Sequence, residues 1–246
     1  MELNKIYNEE CLEGMKKIPD KSINMILCDL PYGTTACKWD SIIPFEPLWE
    51  QYERIIKDNG AIVLTASQPF TSALVMSNTK LFRYEWIWEK TIFTNFALVK
   101  KQAAKKHENV CVFYKKQPTY NPQMESGAPY KDKERARTMG VMGDAISKKK
   151  AINNVGVRYP SSVQKFSNKN NGGVHPTQKP VPLFEYLIKT YTNEGETVLD
   201  NCMGSGTTAI ACINTNRNYI GFELDEEYYN DSLERIKEHK GENNND

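Results

Sequence analysis

Val198-Leu-Asp200-Asn-Cys202-Met-Gly204-Ser205-Gly206-Thr207-Thr208 decides the fold of this chain. An apolar run ends on a carboxylate. Two glycines follow, one residue apart, and a helical pattern opens at the threonines. This reads as a strand, a glycine-rich turn and a helix. Glycines let backbone approach a ligand closely, and the first N–H groups of a helix are free to meet it. Twenty-three residues after Asp200 comes Glu223, at the end of the next predicted strand, Asn218–Phe222. A carboxylate there can accept hydrogen bonds from both hydroxyls of a ribose.

The lysine of a P-loop, GxxxxGK[ST], is missing. Gly204-Ser-Gly206-Thr-Thr-Ala209 fits the dinucleotide pattern GxGxxA, yet only 40 residues follow Gly206, too few for a second half-fold. A mononucleoside-like ligand such as S-adenosylmethionine fits the space better. The plain alternative is a tight turn that binds nothing.

Outward from this segment the chain alternates strands and helices. Asn24–Cys28 reads as a buried strand closed by Asp29 and Pro31. Phe45, Leu48, Tyr52, Ile55 and Ile56 recur at helical spacing, and Gly60 is expected to stop that helix. Ala61–Thr65 is a second buried strand, and Pro69 opens a helix to Asn78. Tyr84–Trp88 and Val110–Tyr114 are rich in strand formers. Beyond Pro180, Phe184, Leu187, Ile188 and Tyr191 share one helical face. Thr197–Leu199 is a strand, Ala209–Ile213 a helix, and Tyr229, Leu233 and Ile236 mark the final helix. Such alternation predicts a mostly parallel α/β sheet. Residues 117–173, rich in Lys, Asn, Ser, Gly and Pro, read as an insert of loops and short elements. Residues 241–246 read as a polar, frayed tail.

The 246 residues can bury a sizeable core, and 39% hydrophobic with 26% charged content excludes a disordered tail or a fibre. Mean hydropathy is −0.62, and no apolar run is long enough to span a membrane. The first residues carry no apolar leader pattern, so a cytoplasmic protein is expected. The six cysteines form no CxxC pair and, with three histidines, no zinc pattern; no metal is expected. Cys28 and Cys111 sit in apolar runs and are assigned to the core. Net charge is +1, but residues 1–89 carry −4, residues 90–170 carry +12 and residues 171–246 carry −7. A basic middle between acidic ends fits a polyanion partner, and a solvated lysine-rich surface is the plain alternative.

Asp29-Leu30-Pro31-Tyr32-Gly33 follows directly on the first buried strand. The C-terminal end of a strand is where α/β sheets place their sites. Here the sequence resembles the amino-methylating DNA methyltransferases, whose catalytic tetrapeptide is [DNS]PP[YFW]. Asp29-Leu30-Pro31-Tyr32 matches it except at the second position. The tetrapeptide precedes the glycine-rich loop, which resembles the circularly permuted β-class order of a Rossmann-like methyltransferase fold. The likeness runs over nearly the whole chain. It divides the chain into a catalytic half (1–116), a target-recognition insert (117–173) and a cofactor-binding half (174–246).

The resemblance implies S-adenosylmethionine as cofactor. Glu10-Cys11-Leu12-Glu13 looks like the adenine-contacting segment, with Glu10 where Asp is usual. His175-Pro-Thr-Gln-Lys179-Pro180 looks like the segment that helps hold the methionine end. Tyr219–Glu223 looks like the ribose-binding strand, and Asp200, Cys202, Gly204, Ser205, Gly206 and Thr207 form the cofactor loop. Asp29 and the Leu30 carbonyl would hold the target amino group, Pro31 would fix the turn, and Tyr32 would stack on a base flipped out of duplex DNA. A backbone acceptor makes leucine tolerable at position 30.

Lys90, Lys105, Lys106, His107, Lys148, Lys149, Lys150 and Arg158 are the expected DNA contacts, with Lys100 and Lys101 beside them. Binding through them should weaken steeply with salt. Asp in the first tetrapeptide position favours adenine N6 over cytosine N4 in this family, and cytosine is the alternative. An RNA or protein amino-group methyltransferase, a non-catalytic nucleic-acid-binding protein and a dinucleotide oxidoreductase are the other readings. Many β-class relatives are dimers, so a homodimer is carried as an expectation without a sequence feature of its own.

Overall fold

The computed structural model describes residues 1–34, 40–133, 135–136, 148–149, 151–169 and 178–241. In chain order the strands begin with β1 (Lys5–Asn8), β2 (Ile23–Asp29), β3 (Ile56–Ala66), β4 (Phe82–Lys90) and β5 (His107–Phe113). Six short strands follow: β6 (Glu125–Ser126), β7 (Tyr130–Asp132), β8 (Arg135–Ala136), β9 (Lys148–Lys149), β10 (Ile152–Asn154) and β11 (Val157–Arg158). The last three are β12 (Val163–Phe166), β13 (Thr197–Asp200) and β14 (Asn218–Glu223). The helices are α1 (Cys11–Met15), α2 (Phe45–Ile55), α3 (Phe70–Ser77), α4 (Val181–Tyr191), α5 (Thr207–Asn214) and α6 (Glu226–His239).

The chain forms two compact units, one of residues 1–121 with 162–246, the other of residues 122–161. The larger unit is built on one sheet of order β1-β14-β13-β2-β3-β5-β4-β12. Every neighbouring pair is parallel except those made by β5, which runs antiparallel to β3 and β4. Alternation along the central strands feeds two cores. Ile26, Cys28, Ile62, Leu64, Cys111 and Phe113 face Leu48, Trp49 and Tyr52 of α2 and Phe70 and Leu74 of α3. Met25, Leu27, Val63, Val110 and Val112 face Leu183, Phe184 and Leu187 of α4, with α5 and Ile236 of α6. Burial on both faces explains why these strands read as continuous apolar runs.

Two local expectations change. Helix α2 ends at Ile55, and the chain turns extended at Ile56 without a stop residue. Gly60 lies inside β3, where a Cβ would stand 2.8 Å from the Asn24 carbonyl oxygen and 2.7 Å from the Ile56 side chain. In α6 the buried stripe runs through Ser232 and Ile236, and Leu233 is exposed. Its ends are set as physics demands: Asp225 caps the Glu227 and Tyr228 N–H groups, and Lys237 and His239 sit in the last turn.

The stretch 117–173 contributes β12 to the large sheet, parallel to β4. The smaller unit is an antiparallel ribbon of nested pairs, β6 with β11, β7 with β10 and β8 with β9. Arg158 staples it: the guanidinium donates to the Ala128 carbonyl and Asn154 Oδ1 and lies 4.6 Å from the Tyr130 ring centroid.

Candidate active site

Parallel strands present their last residues at one edge of a sheet. Asp29, Asp200, Glu223 and Lys90 are the last residues of β2, β13, β14 and β4. Because β5 runs the other way, its beginning, with Glu108, comes to the same edge. All five line a cavity of about 1440 Å³.

Asp29 is held on both oxygens. Oδ1 accepts from the Tyr32 hydroxyl at 2.7 Å and from the Thr65 hydroxyl, and Oδ2 accepts from Lys179 Nζ at 2.5 Å. Lys179 is buried and also lies 3.6 Å from Glu108 Oε2. Glu108 Oε1 in turn pairs with the buried Lys90, whose ammonium sits 4.9 Å from the Trp88 ring centroid. The cluster is therefore two carboxylates alternating with two ammonium groups. Burial alone would push the Lys179 ammonium towards neutrality, but the Asp29 and Glu108 carboxylates hold its pKa above the ordinary lysine value. Burial, then Asp29 and Glu108, push the Tyr32 hydroxyl well up. The Tyr32 ring stacks on Phe70 at 5.1 Å. The turn behind it is clamped by Asp40, whose two oxygens accept the Gly33 and Thr34 N–H groups at 2.8 Å. Gly33 has φ +66°, and a Cβ there would stand 2.9 Å from Ile42.

The glycine-rich loop forms the other end of the cavity. Gly204 and Gly206 have φ of +51° and +79°, conformations that L side chains rarely adopt. Glu223 ties the loop down: Oε2 accepts the Gly204 N–H at 2.7 Å and Oε1 the Asp225 N–H at 2.9 Å. Arg235 braces it from behind, donating to the Ser205 carbonyl and hydroxyl and to the Thr207 hydroxyl. Ser205, Thr207 and Gly204 line the cavity. The Glu10 carboxylate caps α1 through the Leu12 and Glu13 N–H groups, and Cys11 is buried beside it at the cavity wall. Asn201 Nδ2 lies 3.7 Å from Cys11 Sγ and 3.5 Å from Cys202 Sγ.

Asp200 serves the turn from inside. It is buried and accepts from the Cys202 N–H at 3.0 Å and from the Thr208 hydroxyl. Burial pushes its carboxyl from 3.8 up to about 6, against those donors, which favour the carboxylate. The folded chain thus holds this proton more tightly than the unfolded one. Its contribution to stability falls as pH rises from about 4 to about 6, by about 3 kcal/mol in all. Urea unfolding across that window should show a shallower fall for Asp200→Asn than for the parent chain. Equal slopes in the two would refute the assignment.

The predicted polyanion contacts divide. Lys106 and His107 are exposed, Lys106 with Glu89 at 3.3 Å. Lys90 is not a surface lysine, because burial and the Glu108 pair commit it to the cavity. Lys105 lines the cavity and donates to the Ser67 hydroxyl. Arg158 is engaged inside the small ribbon. Lys148 and Lys149 lie on β9, and their side chains, with Lys150 and His175, fall outside the described residues. Lys179 reaches both ends of the cavity: its carbonyl accepts from the Thr207 hydroxyl at 3.4 Å while its ammonium meets Asp29. Glu108, Thr65 and Lys90 were not legible as members of this cluster. The one available signal was an acidic residue opening an apolar strand within the basic middle.

A mostly parallel α/β sheet that brings a glycine-rich loop and the Asp29, Asp200 and Glu223 carboxylates to one cavity has the architecture of the nucleotide-binding α/β folds. A profile of the DNA methylase family, of N6 and N4 type, matches residues 23–234, and this chain belongs to that family of S-adenosylmethionine-dependent DNA methyltransferases. It is 29% identical to the type II methyltransferase M1.MboII of Moraxella bovis, over 94% of this chain and 95% of that one. It is 26% identical to the DNA adenine methyltransferase YhdJ of Escherichia coli K12, over 96% of this chain and 83% of that one. The fold matches the PvuII DNA methyltransferase (cytosine-N4-specific) with TM-score 0.68 at 16% identity, covering 96% of this chain and 91% of that one.

Proposed function

We propose that the chain methylates the exocyclic N6 of an adenine rotated out of duplex DNA into the cavity beside Asp29. The observation that carries this is one cavity lined by Asp29, Tyr32, the glycine-rich loop and Glu223. The residues fit the cofactor: a Cβ at Gly204 would meet nothing within 4 Å, and Glu223 keeps carboxylate lone pairs for a ribose. Glu10, Cys11, Cys202, Ser205 and Thr207 line the same wall. Bound there, S-adenosylmethionine supplies a sulfonium methyl group.

The chain does the rest. An exocyclic amino nitrogen is a poor nucleophile because its lone pair is delocalised into the ring. In this reading the Asp29 carboxylate accepts one N–H and the Leu30 carbonyl the other, drawing the nitrogen towards a tetrahedral shape. Asp29 then stabilises the positive charge that develops on nitrogen and is the first acceptor for the proton it sheds. The Tyr32 hydroxyl and the Lys179 ammonium, which now occupy Asp29, yield a place to the amino group. The Tyr32 ring stacks on the base, offsetting about 1–3 kcal/mol of the few that flipping costs. The two sheet halves, 1–116 and 174–246, follow the permuted order, and the 117–173 stretch is the target-recognition region. That the ribbon of 122–161 is a compact unit of its own supports this. No helix among the described residues is long and apolar enough to cross a membrane, and the working place in this reading is the cytoplasm.

Asp29 in the first tetrapeptide position supports adenine, as does the named activity of the YhdJ relative. Mass spectrometry of nucleosides from DNA methylated by the purified chain should find N6-methyladenine. Finding N4-methylcytosine alone would overturn the choice of base. Transfer to RNA but not to duplex DNA would overturn the choice of substrate.

A further inference from the structure

The segment between β4 and β5 turns its apolar side chains outward. Ile92, Phe96, Leu98 and Val99 are exposed, Phe96 by 60%. Phe93 packs on Phe96 with ring centroids 4.3 Å apart. The segment is nonetheless built. Asn95 spans its base, donating to the Ala103 carbonyl at 2.9 Å and accepting the Lys105 N–H at 2.6 Å. Asn168 accepts the Ile92 N–H and donates to the Ile92 carbonyl, both at 2.9 Å. A 3-10 turn, Phe96–Leu98, forms the tip, and the Leu98 carbonyl accepts the Lys101 and Gln102 N–H groups.

Hydrogen bonds therefore hold an apolar tip in water, where burial would be favoured. Its position says what covers it. Ile92, Phe93, Thr94 and Phe96 line the cavity that holds Asp29. Lys100 and Lys101 follow the tip directly, Lys105 and Lys106 come next, and no acidic residue occurs from Thr91 to His107. An apolar wedge followed by ammonium groups, lining the cavity that holds Asp29, fits a stack of bases between phosphates.

We propose that Phe96, with Leu98 and Val99, enters the base stack of duplex DNA as the target base leaves it, while Lys100 and Lys101 hold the flanking phosphates. The wedge fills the gap that the departing base would otherwise leave to collapse or to water, and so holds the extruded state open. The proposal rests on the reading that the target base enters the cavity.

The test compares two duplexes carrying the site found by sequencing DNA from cells that express the chain. In one the target base is paired normally; in the other it faces an abasic residue and needs no unpairing. Flipping a paired base costs a few kcal/mol, so Phe96→Ser should lower kcat/KM on the paired duplex by about 100-fold. On the abasic-partner duplex it should stay within about threefold of the parent chain, because an unpaired base leaves the stack more easily. Phe96→Leu should retain most activity on both. Calorimetric affinity for S-adenosylmethionine should be unchanged, which separates the effect from misfolding. Equal losses on both duplexes, or no loss on either, would overturn the wedge alone. A parent chain that methylates no amino nitrogen on either duplex would overturn the base-entry reading and the wedge with it.

Discussion

Asp29→Asn lowers kcat by about 10²–10³-fold, the usual effect of removing one preorganised electrostatic contact to the reacting centre. Asparagine keeps the shape of the side chain and removes its charge. The amide can still accept one hydrogen bond, but it no longer opposes the positive charge that develops on the target nitrogen. Cofactor affinity should hold, because the glycine-rich loop is organised by Glu223, Arg235 and Asp200 rather than by Asp29. The buried Lys179 keeps one carboxylate, Glu108, at 3.6 Å, so part of the compensation of its charge remains. Single-turnover methylation with calorimetric binding of S-adenosylmethionine checks both halves. Undiminished transfer would remove Asp29 from the mechanism.

Glu108→Gln is expected to be the costliest change to stability in the site. Its carboxylate stands between two ammonium groups that are only 5% and 7% exposed, those of Lys90 and Lys179. Oε2 accepts no hydrogen bond among the described residues, so its tie to Lys179 is electrostatic. With Glu108 neutral, Lys179 keeps Asp29, while the buried Lys90 keeps no carboxylate partner among the described residues. Breaking a buried pair by removing one partner costs about 3–5 kcal/mol, and urea unfolding should show a loss of that size.

Transfer should fall with it. Lys179 loses one of the two carboxylates that hold it charged, so its pKa drops and the alkaline limb of the pH–rate profile moves to lower pH. A structural role alone would leave that limb in place. Lys90→Met added to Glu108→Gln should recover much of the lost stability, because the second change removes the stranded ammonium. Additive losses in the double variant would refute the coupling.

The larger features of the sheet were legible because they are local. The runs Asn24–Cys28 and Ala61–Thr65 fall within β2 and β3, and Phe184, Leu187, Ile188 and Tyr191 are all buried on α4. Cys28 and Cys111 are fully buried, as their apolar neighbours implied. Errors came where a partner far along the chain decided the outcome. Gly60 reads as a helix stop, but the Asn24 carbonyl of the neighbouring strand is what leaves it no room for a side chain. Lys90 and Arg158 are among the expected DNA contacts, and the structure sets Lys90 in the cavity against Glu108 and Arg158 within the ribbon of 122–161.

By itself the sequence determined the alternating sheet, the glycine-rich turn between Asp200 and Thr208, the carboxylate at Glu223 and the Asp29–Tyr32 tetrapeptide. Each lies within a few residues, where propensity, apolar period and turn chemistry act directly. Only the tertiary structure decided that Asp29, Lys179, Glu108 and Lys90 form one alternating cluster, and that Phe96 lines the same cavity. The reason is the direction of β5. Running against its neighbours, it delivers the start of one strand to the edge where the others end, and no local window of sequence encodes that reversal.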